Sequence, residues 1–83
     1  MIQPSVGRIV LVRAKFGDIG DRIRPAIVTS VNETDAGYDR VDLDVFGTKD
    51  FLMKWLEDVQ HGADENGLPL EGCWSWPPRV GGT

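Results

Sequence analysis

The stretch Arg40-Val41-Asp42-Leu43-Asp44-Val45 decides the fold class, because charged and apolar residues alternate along it with a period of two. That period is typical of a β-strand with one buried face and one face in water. We therefore expect Val41, Leu43 and Val45 to be buried and the two aspartates to be solvated. Phe46 falls on the aspartate side if the period continues, so it is a candidate exposed aromatic.

Two more strands are predicted upstream of this stretch. Residues 6–13 are dense in β-branched side chains, and residues 23–31 form a second apolar run. Turn chemistry separates them at residues 17–21, and residues 32–38 form a polar turn before the 40–45 strand. Pro25 has no N–H to donate, so we expect it at the start of a strand or at a sheet edge.

The downstream half is less regular. Residues 47–50 predict a turn, and residues 51–59 fit either a short helix or a strand, of which the flanking strands favour the strand. Residues 61–72 hold three glycines and a proline among polar residues, which indicates a long loop. The alternation Trp74-Ser75-Trp76 then predicts a short last strand that ends at Pro77.

Together these segments predict a single, mostly β domain spanning residues 1–83, with a long loop near 61–72. Four to five short strands separated by turns fit a small, partly open barrel of the SH3-like kind or a compact sandwich. A chain of 83 residues buries only a thin core. Self-association is the natural additional source of stability, so we expect a homo-oligomer.

Charge limits the partners. The chain carries a net charge of −4, which argues against general nucleic-acid binding, since that needs a clustered cationic surface. The charge is divided unevenly, with +3 over residues 1–24 and −7 over the remainder. The start of the chain does not have the pattern of a secretory signal, and no apolar run approaches the roughly 18 residues of a membrane span. We therefore expect a cytoplasmic protein without membrane contact.

Catalytic chemistry is not indicated. His61 is the only histidine and lies in a glycine-rich loop, so a nucleophile–base pair of the usual kind is not evident. Cys73 is the only cysteine, which excludes an internal disulfide and a multi-cysteine zinc site. The segment 17–21 lacks the lysine of a phosphate-binding loop. We expect neither an enzyme nor a requirement for a metal or cofactor.

Aromatic and cationic residues are what remain for binding. Aromatic faces stack on bases, and arginine forks hold phosphate in a bidentate manner, so the two together suit a small anionic nucleotide. The alternative for each tryptophan is that it simply fills the core. The predicted ligand-binding residues are Arg24, Phe46, Thr48, Trp74, Trp76 and Arg79.

The segment Gly72-Cys73-Trp74-Ser75-Trp76-Pro77-Pro78-Arg79 resembles the closing segment of a group of small phage-encoded proteins. Residues 4–10, 24–28 and 43–46 resemble further landmarks of that group. Some phage proteins of this pattern are similar to the Thoeris anti-defence sponge proteins, β-rich oligomers that trap cyclic nucleotide signals of bacterial immune systems. The resemblance implies phosphate contacts by Arg24 and Arg79, and stacking by Phe46 or a closing tryptophan.

Two other functions stay open. The first is a structural or assembly protein of a phage particle, in which the aromatics and the divided charge mediate protein contacts. The second is an inhibitor that mimics nucleic acid with an exposed acidic stripe of Asp39, Asp42, Asp44 and Asp50. The preferred hypothesis is sequestration, without cleavage, of a nucleotide signal of the cyclic ADP-ribose or cyclic oligonucleotide type inside an infected bacterial host.

Overall fold

The computed structural model describes residues 4–16, 20–34, 37–47 and 54–77. The described residues form five strands: β1 (Ile9–Lys15), β2 (Asp21–Thr34), β3 (Gly37–Val45), β4 (Lys54–His61) and β5 (Cys73–Ser75). These ranges contain no helix that is long and apolar enough to cross a membrane.

The five strands close into a barrel. Strands β1 to β4 follow one another as an antiparallel meander. The three-residue β5 then pairs antiparallel with β1, at Leu11 and Ser75, and parallel with β4, at Gln60 and Cys73. The prediction of a mostly β protein built as a small barrel is confirmed. The ring is closed and not partly open, because β5 bonds to a strand on either side.

The inner face of the barrel is the core. Along each strand alternate side chains point inward, so that their apolar area is removed from water at about 25 cal/mol per Å². The buried hydrophobic residues are Val10, Val12, Phe16, Ala26, Val28, Val41, Leu43, Val45, Val59 and Trp74. The predicted burial of Val41, Leu43 and Val45 is confirmed, since each is 0% exposed. Asp42 and Asp44, expected in water, are instead half-buried.

Bulges bend the sheet where β2, β3 and β4 meet. The register of β2 against β3 shifts between Val28 and Ser30, and on β4 the residues Glu57 and Asp58 lie opposite the single residue Asp42. Asp58 has φ of 52°, a left-handed conformation that aspartate tolerates better than most side chains. Bulges of this kind increase the local twist, which a five-stranded ring needs in order to close.

Strand β2 is longer than the sequence indicates. Asp21 and Asn32 were predicted in turns, but both lie in β2, paired with Lys15 and Arg40. Both predictions are wrong because a neighbouring strand supplies ladder hydrogen bonds, which override the turn preference of isolated polar residues.

Pro25 lies in the middle of β2 and not at a strand start or an edge. In an antiparallel ladder the N–H and C=O of one residue point toward the same neighbouring strand. The Pro25 carbonyl accepts a hydrogen bond from Phe46 N at 3.1 Å, so the Pro25 nitrogen also points past Val45, where β3 has ended. The missing N–H therefore falls where the ladder needs no donor.

The two less regular downstream segments form a strand and a loop. Residues 54–61 are strand β4, so the strand alternative for the 51–59 segment holds over its described part, and residues 51–53 lie outside that part. Residues 62–72 form the predicted loop, but the prediction that His61 lies in it is wrong, because His61 is the last residue of β4 and pairs with Trp74 of β5. Asp64 organises that loop, because its Oδ1 accepts hydrogen bonds from Asn66 N at 2.8 Å and Leu68 N at 3.0 Å.

The outward face of β1 and β2 is also apolar. Ile9 pairs with Ile27, Leu11 with Pro25, and Arg13 with Ile23, all on the side opposite the core. Phe46, whose N–H donates to the Pro25 carbonyl, extends the surface to the end of β3. Trp55 extends it to β4, where it lies in the same row as Ile27 with Asp44 between them. We call this surface the outer apolar face, and it consists of Ile9, Leu11, Ile23, Pro25, Ile27, Phe46 and Trp55.

Candidate functional site

The predicted ligand-binding residues that the structure describes lie at the two ends of the barrel and, for Trp74, in its core. The hairpin end carries the connections 16–20 and 46–53, and the opposite end is where β1 begins and β5 ends. Arg24 and Phe46 belong to the hairpin end, whereas Trp76 belongs to the opposite end. Thr48 and Arg79 lie outside the described residues. Among the predicted residues that the structure describes, Arg24 and Phe46 therefore lie at a different end from Trp76.

At the hairpin end Arg24 faces into the barrel. It pairs with Val12, whose side chain is 1% exposed, and its Nε is shielded from solvent. Lys54 pairs with Val45 on the same inward side, and its Nζ lies 5.8 Å from the centre of the Phe16 ring. This end therefore combines two cationic side chains, those of Arg24 and Lys54, with the aromatic ring of Phe16.

Phe46 does not share the side of the sheet on which Arg24 lies. The bond from Phe46 N to the Pro25 carbonyl continues the register of β3 and places Phe46 in the row of Pro25 and Leu11, on the outside. Phe46 is half-buried there. Its ring is thus part of the outer apolar face, and we do not combine it with Arg24 in one site.

Trp74 is a core residue. It is 0% exposed, and its Nε1 donates a hydrogen bond to the carbonyl of Asp39 at 2.8 Å. The rings of His61 and Trp76 meet it edge to face, with centroid distances of 4.7 and 5.4 Å. Trp74 therefore has no exposed face and its Nε1 is satisfied, and its ring supports that of Trp76.

Trp76 is held by contacts on several sides. It follows β5 at the opposite end, where it is half-buried and packs against the core. The guanidinium carbon of Arg8 lies 5.3 Å from the centre of the Trp76 ring, a cation–π contact. The edge of Trp74 holds the ring from a second direction. These contacts fix the orientation of the Trp76 ring.

The indole nitrogen of Trp76 is a buried donor that the described part of the chain leaves unsatisfied. Trp76 Nε1 is shielded from solvent and has no acceptor within hydrogen-bond distance among residues 4–16, 20–34, 37–47 and 54–77. A buried polar group without a partner destabilises a protein by about 1 to 3 kcal/mol. Such a donor beside a guanidinium group is suited to an anionic or carbonyl-bearing ligand.

Arg8 and Lys54 are the site residues that sequence reasoning missed. Arg8 precedes β1, and its contact with Trp76 depends on the antiparallel pairing of β1 with β5. Lys54 reaches Phe16 only because the closed ring places β4 at the hairpin end. No local pattern in the sequence indicates either contact.

Two acidic residues, Asp42 and Asp58, are engaged with their neighbours. Asp42 Oδ1 accepts hydrogen bonds from Asp58 N at 2.9 Å and from Asn32 Nδ2 at 3.1 Å, and Arg40 pairs with Asp58 at 3.1 Å. Asp39 is half-buried, and Asp50 lies outside the described residues. This network stabilises the bulge on β4. A nucleic-acid mimic needs carboxylates that are free to contact a partner, whereas these carboxylates are bonded within the protein.

His61 makes stability depend on pH. Burial against Trp74 lowers the pKa of His61, partly opposed by the charge of Asp39. The ordinary pKa of histidine, which applies to the unfolded chain, is about 6.5. The unfolded chain therefore binds a proton more readily than the folded chain. The stability contributed by neutral His61 is present above that pH and is lost as the pH falls through the lower, folded-state value.

We expect the urea midpoint of the wild type to decrease when the pH is lowered from about 7.5 to about 5.5, a range in which carboxylates stay ionised. His61→Gln cannot bind this proton and should show a smaller fall. Equal falls in the two proteins would contradict the role of His61. The ion pair of Arg13 with Asp21, at 2.7 Å, lowers the pKa of Asp21. The stability that this ion pair contributes is therefore lost only at a more acidic pH than the range tested for His61.

The described ranges contain no group of three His, Cys, Asp or Glu side chains placed to hold a metal ion. No protein-family model, curated protein or solved structure matches this chain.

Proposed function

We propose that this protein binds a small anionic nucleotide without cleaving it, at a site formed by Trp76 and Arg8. The observation that carries the proposal is the buried Nε1 donor of Trp76, next to a guanidinium group that already lies over the indole ring. A nucleotide supplies what this arrangement requires: acceptor atoms for the donor, negative charge for Arg8 and a flat base for the ring.

The biological role that fits such binding is sequestration of a nucleotide signal. A protein that binds tightly lowers the free concentration of the signal in proportion to its own amount, so no chemical step is needed. The resemblance to phage proteins related to anti-defence sponges supports this role in the cytoplasm of an infected bacterium. Arg79, three residues after Trp76, is the natural second phosphate contact under the same proposal.

Thermal unfolding against a panel of cyclic and linear nucleotides tests the proposal. A ligand present at about 100 times its Kd stabilises the folded state by about 2.7 kcal/mol, which is readily measured as a rise in the midpoint. We expect at least one nucleotide to raise the midpoint of the wild type. No rise with any member of the panel would overturn the proposal.

Substitutions locate the site. Trp76→Phe keeps an aromatic ring but removes the donor, and Arg8→Gln removes the cation, so both should reduce the ligand-induced rise. Trp55→Phe is the matched control, since it makes the same change at a tryptophan on the outer apolar face. If Arg24→Gln abolished the rise while Trp76→Phe kept it, the site would lie at the hairpin end and the assignment to Trp76 would be wrong.

The alternative, a phage structural or assembly protein, is favoured by one observation. Trp55 is 55% exposed and Ile9 is 43% exposed on the outer apolar face, in a row that also contains Asp44. Exposed apolar groups of this size are typical of protein contact surfaces. The nucleotide panel separates the two functions. An assembly protein should show no ligand-dependent rise and should keep its protein contacts when Trp76 is changed to Phe.

A further inference from the structure

His61 lies at the same end of the barrel as Trp76 and faces the same interior. Val59, two residues before it on β4, is 8% exposed, so the alternation of the strand turns the His61 side chain inward as well. The ring of His61 meets that of Trp74 at 4.7 Å, and Trp74 meets Trp76 at 5.4 Å. Trp74 therefore connects a titratable ring to the aromatic ring of the proposed site.

The groups around His61 come from the strands on either side of β4. The register of β3 with β4 pairs Arg40 with Gln60, so the next position sets Asp39 opposite His61. On the other side β5 contributes the uncharged Trp74. Burial lowers the pKa of His61, the charge of Asp39 raises it, and the positive charge of the amino terminus lowers it. Proton uptake by His61 adds one positive charge to this end of the barrel.

The charge of His61 acts on a ligand bound at Trp76. Placed end to end, the two ring contacts keep the centres of His61 and Trp76 within about 10 Å, where charges separated by protein are weakly screened. A unit charge at about 10 Å changes the affinity for a singly charged anion by roughly two- to fifteenfold, for effective dielectric constants of about 80 to 20. The guanidinium group of Arg8, 5.3 Å from the centre of the Trp76 ring, already favours an anion there.

We propose that His61 is a further cationic group of the Trp76–Arg8 site, so that the protein binds anionic nucleotides more tightly when His61 is protonated. This role of His61 rests on the proposed nucleotide function and adds a residue and a regulation to it. Because coupling between two bound species is reciprocal, a bound anion must also raise the pKa of His61. Acidification therefore weakens the fold but strengthens the binding.

Isothermal titration calorimetry measures the coupling at about pH 7.5 and about pH 5.5, on either side of the ordinary histidine pKa. The probes are cyclic AMP, cyclic di-AMP and cyclic ADP-ribose, whose phosphodiester and pyrophosphate groups keep the same charge over this range. We expect the Kd of the wild type to be about fivefold lower at the lower pH, within the range set by Coulomb's law. His61→Gln should have the same Kd at both pH values.

A relocated histidine is the matched control. The double variant Gln60→His with His61→Gln has the same composition as the wild type, but its histidine lies one position earlier on β4. The side chain at that position is exposed and points away from the interior. Solvent and salt screen a charge there, so the Kd should depend little on pH. Circular dichroism at both pH values checks that each variant is folded.

Proton NMR gives a second measurement, because His61 is the only histidine of the chain. We expect the pKa of His61 to rise when the probe with the lowest Kd is added. A probe that binds no more tightly at the lower pH and leaves this pKa unchanged would overturn the role of His61 and leave the proposed function standing. A pH dependence that persists in His61→Gln would assign it to another group. No binding of any probe would also overturn the role of His61, and the wider nucleotide panel then decides whether the proposed function fails with it.

Discussion

Trp74→Ala is expected to lower the free energy of unfolding by about 3 to 5 kcal/mol, the range for removing a large aromatic from a core. Trp74 is 0% exposed and has the largest of the fully buried side chains. It also joins three elements, because its ring meets His61 on β4 and Trp76 after β5, while its Nε1 bonds to Asp39 on β3. A small domain has little stability to spare, so we expect this variant to be largely unfolded at 37 °C.

A graded series makes the effect of Trp74 specific. Trp74→Phe keeps most of the ring but loses the hydrogen bond to the Asp39 carbonyl, so its effect should be intermediate, with about 1 to 3 kcal/mol from that bond. Leu70→Ala, at an exposed loop position, should change stability by no more than about 0.5 kcal/mol. Urea unfolding followed by circular dichroism gives all three values. A Trp74→Ala midpoint close to that of the wild type would contradict the position of Trp74 in the core.

Gly62→Ala is expected to destabilise the protein by about 1 to 3 kcal/mol, as overpacking of a fixed site does. A Cβ at Gly62 would lie 2.9 Å from Cys73 Sγ and 3.2 Å from Cys73 Cβ. The backbone cannot easily move away, because Gly62 N donates to the Trp74 carbonyl at 3.0 Å and the Gly62 carbonyl accepts from Leu70 N at 3.1 Å. In Gly62→Ala the parallel contact of β4 with β5, which closes the barrel, would therefore be strained.

A double-mutant cycle identifies the clash as the cause. Cys73→Ala removes the sulfur but keeps the Cβ contact, so the double variant should recover part of the stability lost in Gly62→Ala. The effects of two contacting residues differ from additivity by about 0.5 to 3 kcal/mol, which urea unfolding resolves. Strictly additive effects would mean that Gly62 is needed for a reason other than its closeness to Cys73.

The strands were predictable where alternation is strong. The 40–45 stretch specified one face for the core, and β3 places the same three residues there. Asp21 and Asn32 were predicted in turns because the preference of a polar residue is local, whereas the hydrogen bonds that hold both in β2 come from β1 and β3. The position of Pro25 likewise depends on where a different strand ends.

The candidate site was predictable only in part. Trp76 was identified from its residue type, but the same reasoning could not separate it from Trp74, because both alternate around Ser75 in the same pattern. Their difference arises from the barrel, in which Trp74 is enclosed by β4 and β1 and Trp76 lies past the end of β5. The contact of Arg8 with Trp76 has no sequence signal, because the two residues are brought together by strand pairing alone.

Local alternation is enough to predict that this protein is mostly β, since a period of two is a property of neighbouring residues and needs no partner strand to be recognised. The amino-acid composition likewise shows which residue types are available for binding. The fold alone shows that the ring closes, that Trp74 is enclosed while Trp76 is half-buried, and that seven apolar side chains lie on the outer apolar face. Register and closure depend on hydrogen bonds between residues far apart in the chain, and those pairings are set by the packing of the whole barrel.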